Sequence, residues 1–183
     1  IWKSILQNKL NLNKTKIYAR DCYIKEIDNE TKNDFLDENH LQGKDSSSLK
    51  YGLFLKKVKY SLNKDELVSV MTFGPSRYGN KEDYEMYRFC NKLEISVIGS
   101  ASKLFKHFIK INNPKEVLSY GDRRLGFNNF YEKIGFRKVD ETSPGFKYVK
   151  NNTAYNRELF KKHLLEGYFK KGKFGIKIYD TNF

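Results

Sequence analysis

The chain has few cysteines and prolines, few acidic residues for its many basic ones, and no long apolar run. Cys22 and Cys90 are the two cysteines among 183 residues, with no Cys-x-x-Cys pair and no Cys/His cluster. This pattern argues against a disulfide scaffold and a structural zinc site, and it fits a reducing cytoplasm. No segment is long and apolar enough to span a bilayer, and no signal peptide is visible, so we expect no membrane-embedded part.

Acidic residues are strongly outnumbered by basic ones. The chain has 22 Asp and Glu against 35 Lys and Arg, which gives a formal net charge of +13 and a pI near 9.5. Lys and Arg displace counterions from phosphates, so the excess predicts a polyanionic partner, with DNA as the first candidate. A solvated lysine-rich surface and an anionic membrane surface are the alternatives.

Apolar residues make up 39% of the chain and aromatic residues 15%, enough for one domain with a hydrophobic core. Their spacing predicts both helices and strands. Helices are predicted at residues 1–12, 31–38, 128–134 and 157–168, and another runs from Ala101 to a stop at Asn112-Asn113-Pro114. Strands are predicted at residues 22–27, 49–60, 66–73, 84–90, 116–120, 136–140, 146–150 and 173–179. Residues 11–16 are expected to form a linker, and a loop containing Gly99 is expected before the helix at 101.

These elements predict an α/β chain of the α+β type, with a single mixed, mostly antiparallel sheet flanked by helices. Their order over residues 67–139 resembles the GNAT acetyltransferase superfamily. Two segments carry the resemblance, Asn129-Phe130-Tyr131-Glu132-Lys133-Ile134-Gly135-Phe136 and Ser96-Val97-Ile98-Gly99-Ser100-Ala101. The first looks like the family's helix that ends in Gly before a strand that begins with Phe.

The second segment lies at the position of the family's acetyl-CoA loop. In that family, backbone N–H groups at the start of the following helix hold the pyrophosphate. The resemblance therefore implies acetyl-CoA as a cofactor at Gly99, Ser100, Ala101 and Ser102. The family usually has Gln or Arg where this chain has Ser96, which leaves acetyl transfer as an alternative.

The chain as a whole resembles a domain of phage proteins related to homing endonucleases. The segments that carry this resemblance are Tyr18-Ala19-Arg20-Asp21-Cys22, His40-Leu41-Gln42-Gly43, Leu67-Val68-Ser69-Val70-Met71-Thr72-Phe73-Gly74, Arg88-Phe89-Cys90, Gly99-Ser100-Ala101-Ser102-Lys103-Leu104-Phe105 and Ser119-Tyr120-Gly121-Asp122-Arg123-Arg124. In those proteins the domain follows a Vsr-like nuclease domain. The resemblance implies that residues 1–16 are a helix and linker ending that nuclease, and that residues 17–183 are the GNAT-like domain.

The nuclease's catalytic residues would lie upstream, so this chain alone is not expected to cut DNA by that chemistry. The resemblance places the protein in the cytoplasm of a phage-infected bacterial cell. A more distant resemblance is to Mom-type phage proteins, which modify adenine in DNA on a GNAT-like fold. It is carried by Val117-Leu118-Ser119-Tyr120-Gly121-Asp122 with Tyr131 and Gly135-Phe136.

Three residues are candidates for catalysis, and each has a structural alternative. His40, near a predicted helix end, can act as a base, bind a metal or cap the helix. Asp122 follows a strand end, where α/β folds gather ligands, and it either orients a substrate or forms a local ion pair. Tyr131 occupies the place of a common GNAT general acid, or it packs in the core. No metal site is predicted.

The candidate DNA contacts are basic residues in loops, on helices and near the C-terminus. They are Arg77, Arg88, Lys103, Arg123, Arg124, Lys161 and Lys162. Arg side chains suit phosphates, and an Arg beside an aromatic residue in a loop also suits an unstacked base. Strand alternation puts Glu85 and Arg88 on opposite faces unless a bulge intervenes, so one of the two is expected to be structural.

The leading hypothesis is a DNA-binding GNAT-like accessory domain of a phage homing endonuclease-type protein. The alternative is a transferase that moves an acyl or related group to a DNA base or a small molecule. A third possibility is a protein-interaction module on an acyltransferase scaffold. The sequence assigns neither an enzymatic activity nor an oligomeric state.

Overall fold

A computed structural model describes residues 1–76, 84–122, 129–142, 147–161 and 164–165. The chain forms two compact units, Ile1–Arg137 and Lys138–Phe183. The described helices are α1 Trp2–Lys9, α2 Asn29–Asn39, α3 Ser100–Asn112 and α4 Asn129–Lys133. The described strands of the first unit are β1 Thr15–Tyr18, β2 Cys22–Glu26, β3 Leu49–Leu55, β4 Leu67–Gly74, β5 Tyr84–Asn91, β6 Ile95–Ile98 and β7 Val117–Ser119. Those of the second unit are β8 Lys147–Lys150 and β9 Thr153–Asn156, which pair antiparallel.

A five-stranded sheet in the order β2-β3-β4-β5-β7 forms the centre of the first unit. Its neighbours pair antiparallel except for β5 and β7, which are parallel. A parallel pair needs a crossover connection, and β6 and α3 lie in the connection between these two strands. The predicted class, a mixed and mostly antiparallel sheet with helices, is confirmed.

Two short strands form a separate parallel pair that the sequence pattern did not predict. Strand β1 pairs with β6 from Thr15 and Ile95 to Tyr18 and Ile98. The prediction of a linker up to residue 16 and of a loop alone before α3 was therefore wrong. Each strand has four residues, and Ile17, Ile95 and Val97 are their buried side chains. Such a run is too short for its alternation to stand out from the surrounding polar residues.

Helix α3 covers one face of the central sheet. Its apolar residues recur at helical spacing, and Leu104, Phe105 and Phe108 are buried. The ring of Phe108 stacks on Phe73 of β4 with 3.7 Å between the ring centroids. Gly99 precedes the helix and Asn113 follows it, and both residues are in the left-handed conformation. The predicted helix, from Ala101 to the stop at residues 112–114, is confirmed and begins one residue earlier, at Ser100.

Helix α2 covers the opposite face. Phe35 and Leu36 are buried there with Ile27 and with Val70 of β4. Asp28 caps the helix, because its carboxylate accepts a 2.7 Å hydrogen bond from the N–H of Thr31. The predicted arrangement of a sheet flanked by helices is thus confirmed for both faces.

Other predicted elements differ from the structure. Residues 136–140 do not form a strand. The strand predicted at 49–60 ends at Leu55, and the segment that follows turns at Tyr60 and Ser61, which are both in the left-handed conformation. The helix predicted at 157–168 begins instead as a 3₁₀ turn, Arg157–Phe160, and the strand predicted at 173–179 lies outside the described residues. No helix in the described part of the chain is long and apolar enough to cross a membrane.

Candidate functional site

A β-bulge in β5 determines which side chains reach the α2 side of the sheet. Arg88 pairs with Thr72, whereas Met86 pairs with Phe73, so Tyr87 is an extra residue on β5. Glu85 lies opposite Gly74, two residues after Thr72. The bulge therefore puts Glu85 and Arg88 on the same face. The prediction from simple alternation, which put them on opposite faces unless a bulge intervened, does not hold here.

The bulged residue is itself fixed in place. The Tyr87 hydroxyl donates a 2.6 Å hydrogen bond to the carbonyl of Pro75. Its ring lies over Gly74, where a Cβ would come within 2.7 Å of the ring carbon Cζ. A side chain at position 74 would displace the Tyr87 ring, so this close approach requires glycine.

The buried carboxylate of Asp45 links the elements on the α2 side. Its two oxygens accept hydrogen bonds from Thr72 Oγ1 at 2.6 Å, the N–H of Ser47 at 2.9 Å and Lys32 Nζ at 3.2 Å. Lys32 Nζ also donates to the Asp45 carbonyl at 2.5 Å. The side chains of Lys32 and Asp45 are 2% and 3% exposed. Burial raises the pKa of Asp45, but these hydrogen bonds outweigh it and hold that pKa below its ordinary value.

His40 lies at the end of α2, beside this network. Its Nδ1 accepts a 3.1 Å hydrogen bond from the N–H of Gln42, so the ring proton of the neutral form is on Nε2. Burial, and then the positive charge of Arg88, lower the pKa of His40 to about 4. The imidazole is therefore neutral at physiological pH. It can donate a hydrogen bond from Nε2 to an oxygen of a ligand, but with Nδ1 engaged it is poorly placed to act as a base.

Arg88 joins the bulge to the loop that carries His40. Its Nε donates to the carbonyl of Gly43 at 3.4 Å, and its Nη1 donates to the carbonyl of Tyr87 at 2.9 Å. Its backbone N–H donates to Thr72 Oγ1 at 3.1 Å. The structure thus brings together His40 and Arg88 from the predicted set, and we name His40, Asp45, Thr72 and Arg88 the polar site.

The other two predicted catalytic residues lie beyond the end of β7. The Tyr131 hydroxyl donates a 3.2 Å hydrogen bond to the carbonyl of Tyr120, and its ring packs edge-on against Phe130 and Phe136. Asp122 is half-buried two residues after Tyr120. The Tyr131 side chain is therefore engaged in local packing and in a bond to the main chain.

The predicted cofactor residues form the first turn of α3. Gly99 has φ +80°, a left-handed conformation that favours glycine, and a Cβ at this position would be in ordinary van der Waals contact with the Ala19 Cβ at 3.7 Å. Ser100 is buried, and its hydroxyl contacts the carbonyl of Val97 at 2.8 Å and Asn91 Oδ1 at 3.0 Å. What this turn offers a ligand is the backbone N–H groups of Ser100, Ala101 and Ser102.

The predicted DNA contacts differ in how they are used. Lys103 Nζ donates to the carbonyls of Ala19 and Cys22, at 2.8 and 2.6 Å. Burial, and then the charge of Lys56, lower the pKa of Lys103. Lys161 is exposed in the second unit. The predicted contacts that lie outside the described residues are Arg77, Arg123, Arg124 and Lys162.

Sequence reasoning missed the central members of the polar site. Asp45 and Thr72 looked like ordinary loop and strand residues. One signal was present, because Lys32 lies three and four residues before Phe35 and Leu36, on the buried face of the same helix. A lysine at such a position requires a buried acceptor, which the nearby Asp45 supplies.

In the described part of the chain, no group of three His, Cys, Asp or Glu side chains could hold a metal ion. No protein-family model matches the chain, and no curated protein or solved structure matches it.

The buried ion pair generates a prediction about stability. Asp45→Asn keeps the shape of the side chain but leaves Lys32 buried without a counter-charge. We expect the free energy of unfolding, measured by urea denaturation, to fall by ~3–5 kcal/mol. Lys32→Met combined with Asp45→Asn should recover much of this loss, because neither charge then remains buried.

Asp37→Asn is the matched control for this measurement. Asp37 is 51% exposed and pairs with Lys44, which is 67% exposed, so its loss should cost under ~1 kcal/mol. Equal losses for Asp37→Asn and Asp45→Asn would contradict the structural role given to Asp45.

The lowered pKa of His40 generates a prediction about pH. The folded protein resists protonating this ring, while the unfolded chain protonates it near its ordinary value of 6.5. Stability should therefore fall as the pH drops from about 6.5 towards 4, because the unfolded state binds the extra proton. His40→Gln should reduce this slope.

NMR titration of the imidazole measures the effect directly. The His40 ring should remain largely neutral at pH 5, about one unit above its pKa. The same ring in urea-unfolded protein is the control. A folded-state midpoint near 6.5 would rule out the burial described for His40.

Proposed function

We propose that the chain is a DNA-binding domain. The observation that carries the proposal is the net charge of +13, which no arrangement of the chain's own acidic residues can neutralise. A surface with this excess attracts a polyanion and gains free energy by releasing its counterions. Unpaired cations at the surface contribute little to folding. Binding of a polyanion is therefore the role that best explains the excess of positive charge.

The positions of individual lysines support this proposal. Lys106 and Lys110 are exposed and lie four residues apart on α3, so they occupy one face of the helix. Lys103, on the same face, is instead tied to main-chain carbonyls and anchors α3 to the segment around Cys22. Lys106 and Lys110 do not anchor the helix in this way, so their ammonium groups suit contacts with phosphates.

The resemblance to phage proteins extends the proposal to a GNAT-like accessory domain that helps a nuclease engage its target, in the cytoplasm of an infected cell. The order β5, α3, β7 and α4, with β5 and β7 parallel, supports the GNAT-like part. The absence of a strand at residues 136–140 counts against it.

Transfer of an acyl or related group is the second candidate. The backbone N–H groups that begin α3 after Gly99 favour it, because they suit the pyrophosphate of acetyl-CoA. The engagement of the Tyr131 hydroxyl by the Tyr120 carbonyl counts against Tyr131 as its acid. Titration calorimetry with acetyl-CoA discriminates the two: heat of binding supports the transferase, and its absence leaves the DNA-binding domain.

The proposal predicts a steep salt dependence of DNA binding. In a fluorescence-anisotropy titration with duplex DNA, the logarithm of the affinity should fall linearly with the logarithm of salt, by ~0.9 per phosphate contact. Lys106→Gln and Lys110→Gln should each reduce that slope by about 1.

Lys44→Gln is the control for the slope. Lys44 is exposed but lies beside α2, on the opposite face of the sheet from α3. It should leave the slope unchanged. If the wild-type chain fails to bind DNA at low salt, the proposed function is wrong.

A further inference from the structure

Cations and exposed aromatic rings gather where the hairpin between β3 and β4 meets the end of β1. We propose that this surface binds an unpaired strand of nucleic acid. It consists of Tyr18, Arg20, Lys56, Lys59 and Tyr60, and we name it the aromatic-basic cluster. The inference rests on the proposed DNA binding and names the form of DNA that this surface takes.

The cations of the cluster lie against its rings. Arg20 Cζ is 4.8 Å from the centroid of the Tyr18 ring. Lys59 Nζ is 5.9 Å from the same centroid and 5.5 Å from that of Tyr60. Cation–π contacts hold both charges beside the rings, so a strand that stacks a base here meets a cation for its phosphate.

The charges of the cluster are poorly compensated. Asp21 pairs with Lys59 at 2.6 Å, and this hydrogen bond is the main cause of the lowered pKa of Asp21. Arg20 and Lys56 also act on the same carboxylate, while Arg20 repels Lys59 and Lys56 repels Lys103. Three cations, Lys59, Arg20 and Lys56, thus act on the one carboxylate of Asp21, and a bound phosphate would relieve their mutual repulsion.

The rings explain why an unpaired strand suits the cluster better than a duplex. Tyr18 is 42% exposed and Tyr60 is 58% exposed. A base can stack on an aromatic ring only when its own face is free, and in a duplex both faces are covered by neighbouring base pairs. The cations serve either form, so the aromatic rings alone provide the preference.

The main chain holds the cluster in place before any ligand arrives. Lys56 Nζ donates to the carbonyl of Arg20 at 3.1 Å, and the N–H of Lys56 donates to the carbonyl of Asp21 at 3.0 Å. The left-handed residues Tyr60 and Ser61 turn the hairpin so that Lys59 and Leu62 pair. Binding therefore requires little ordering of this segment.

The test compares a labelled single strand with a duplex of the same length in anisotropy titrations. Tyr18→Ser combined with Tyr60→Ser removes both rings and leaves the charge unchanged. This double variant should bind the single strand at least about tenfold more weakly. Its affinity for the duplex should stay within about twofold, because the duplex offers no free base face.

Lys106→Gln combined with Lys110→Gln is the matched control, since it removes two phosphate contacts and no ring. It should weaken single-strand and duplex binding alike. Tyr60→Ser alone, at the exposed hairpin, covers the case in which the double variant does not fold. Tyr60→Ser alone should lower the affinity for the single strand about fivefold.

The outcomes separate this inference from the proposed function. If the wild-type chain binds neither form, the proposed function fails and the inference fails with it. If the wild-type chain binds duplex DNA but the ring variants keep full affinity for the single strand, only the inference is overturned. An equal loss on single strand, duplex and heparin would show a general polyanion surface and would also overturn it.

Discussion

The buried carboxylate of Asp45 is the contact on which the α2 side of the molecule depends. It accepts hydrogen bonds from α2, from its own loop and from β4, and so fixes three elements that are distant in sequence. The Thr72 hydroxyl, which donates to Asp45, also accepts a hydrogen bond from the N–H of Arg88 beside the bulge. The loop between α2 and β3 has few apolar residues that could pack it against the sheet. The hydrogen bonds of the Asp45 carboxylate therefore fix this loop, and with it the positions of His40 and Arg88.

Some lysines of the chain form hydrogen bonds that support the fold, and others lie at the surface. Lys32 and Lys103 donate to oxygens inside the first unit, and their ammonium groups are taken up by that task. Lys106 and Lys110 are exposed, and Lys56 is exposed while its ammonium also donates to the Arg20 carbonyl. The net charge counts all of these lysines alike, while only the geometry separates those that support the fold from those at the surface.

Local sequence patterns predict helices and strands, but they do not predict bulges or contacts between distant segments. Helix α3 and the central strands were predictable because Leu104, Phe105 and Phe108 repeat at helical spacing and the strands carry sustained apolar runs. The bulge at Tyr87 was not, since one extra residue reverses the faces of all that follow and leaves no compositional mark. Long-range hydrogen bonds such as those of Asp45 join segments whose proximity no local pattern encodes.

The parallel pairing of β1 with β6 also constrains the order in which the first unit can assemble. Thr15 has its partner at Ile95, so β1 leaves the ribosome long before the strand that pairs with it. Ile17 is fully buried in the finished unit, yet the nascent chain must keep it exposed throughout that interval. The β3-β4 hairpin joins strands that are near in sequence, so it can close before β1 and β6 pair. Strand β1 is thus synthesised well before β6 and can pair only after β6 has been made.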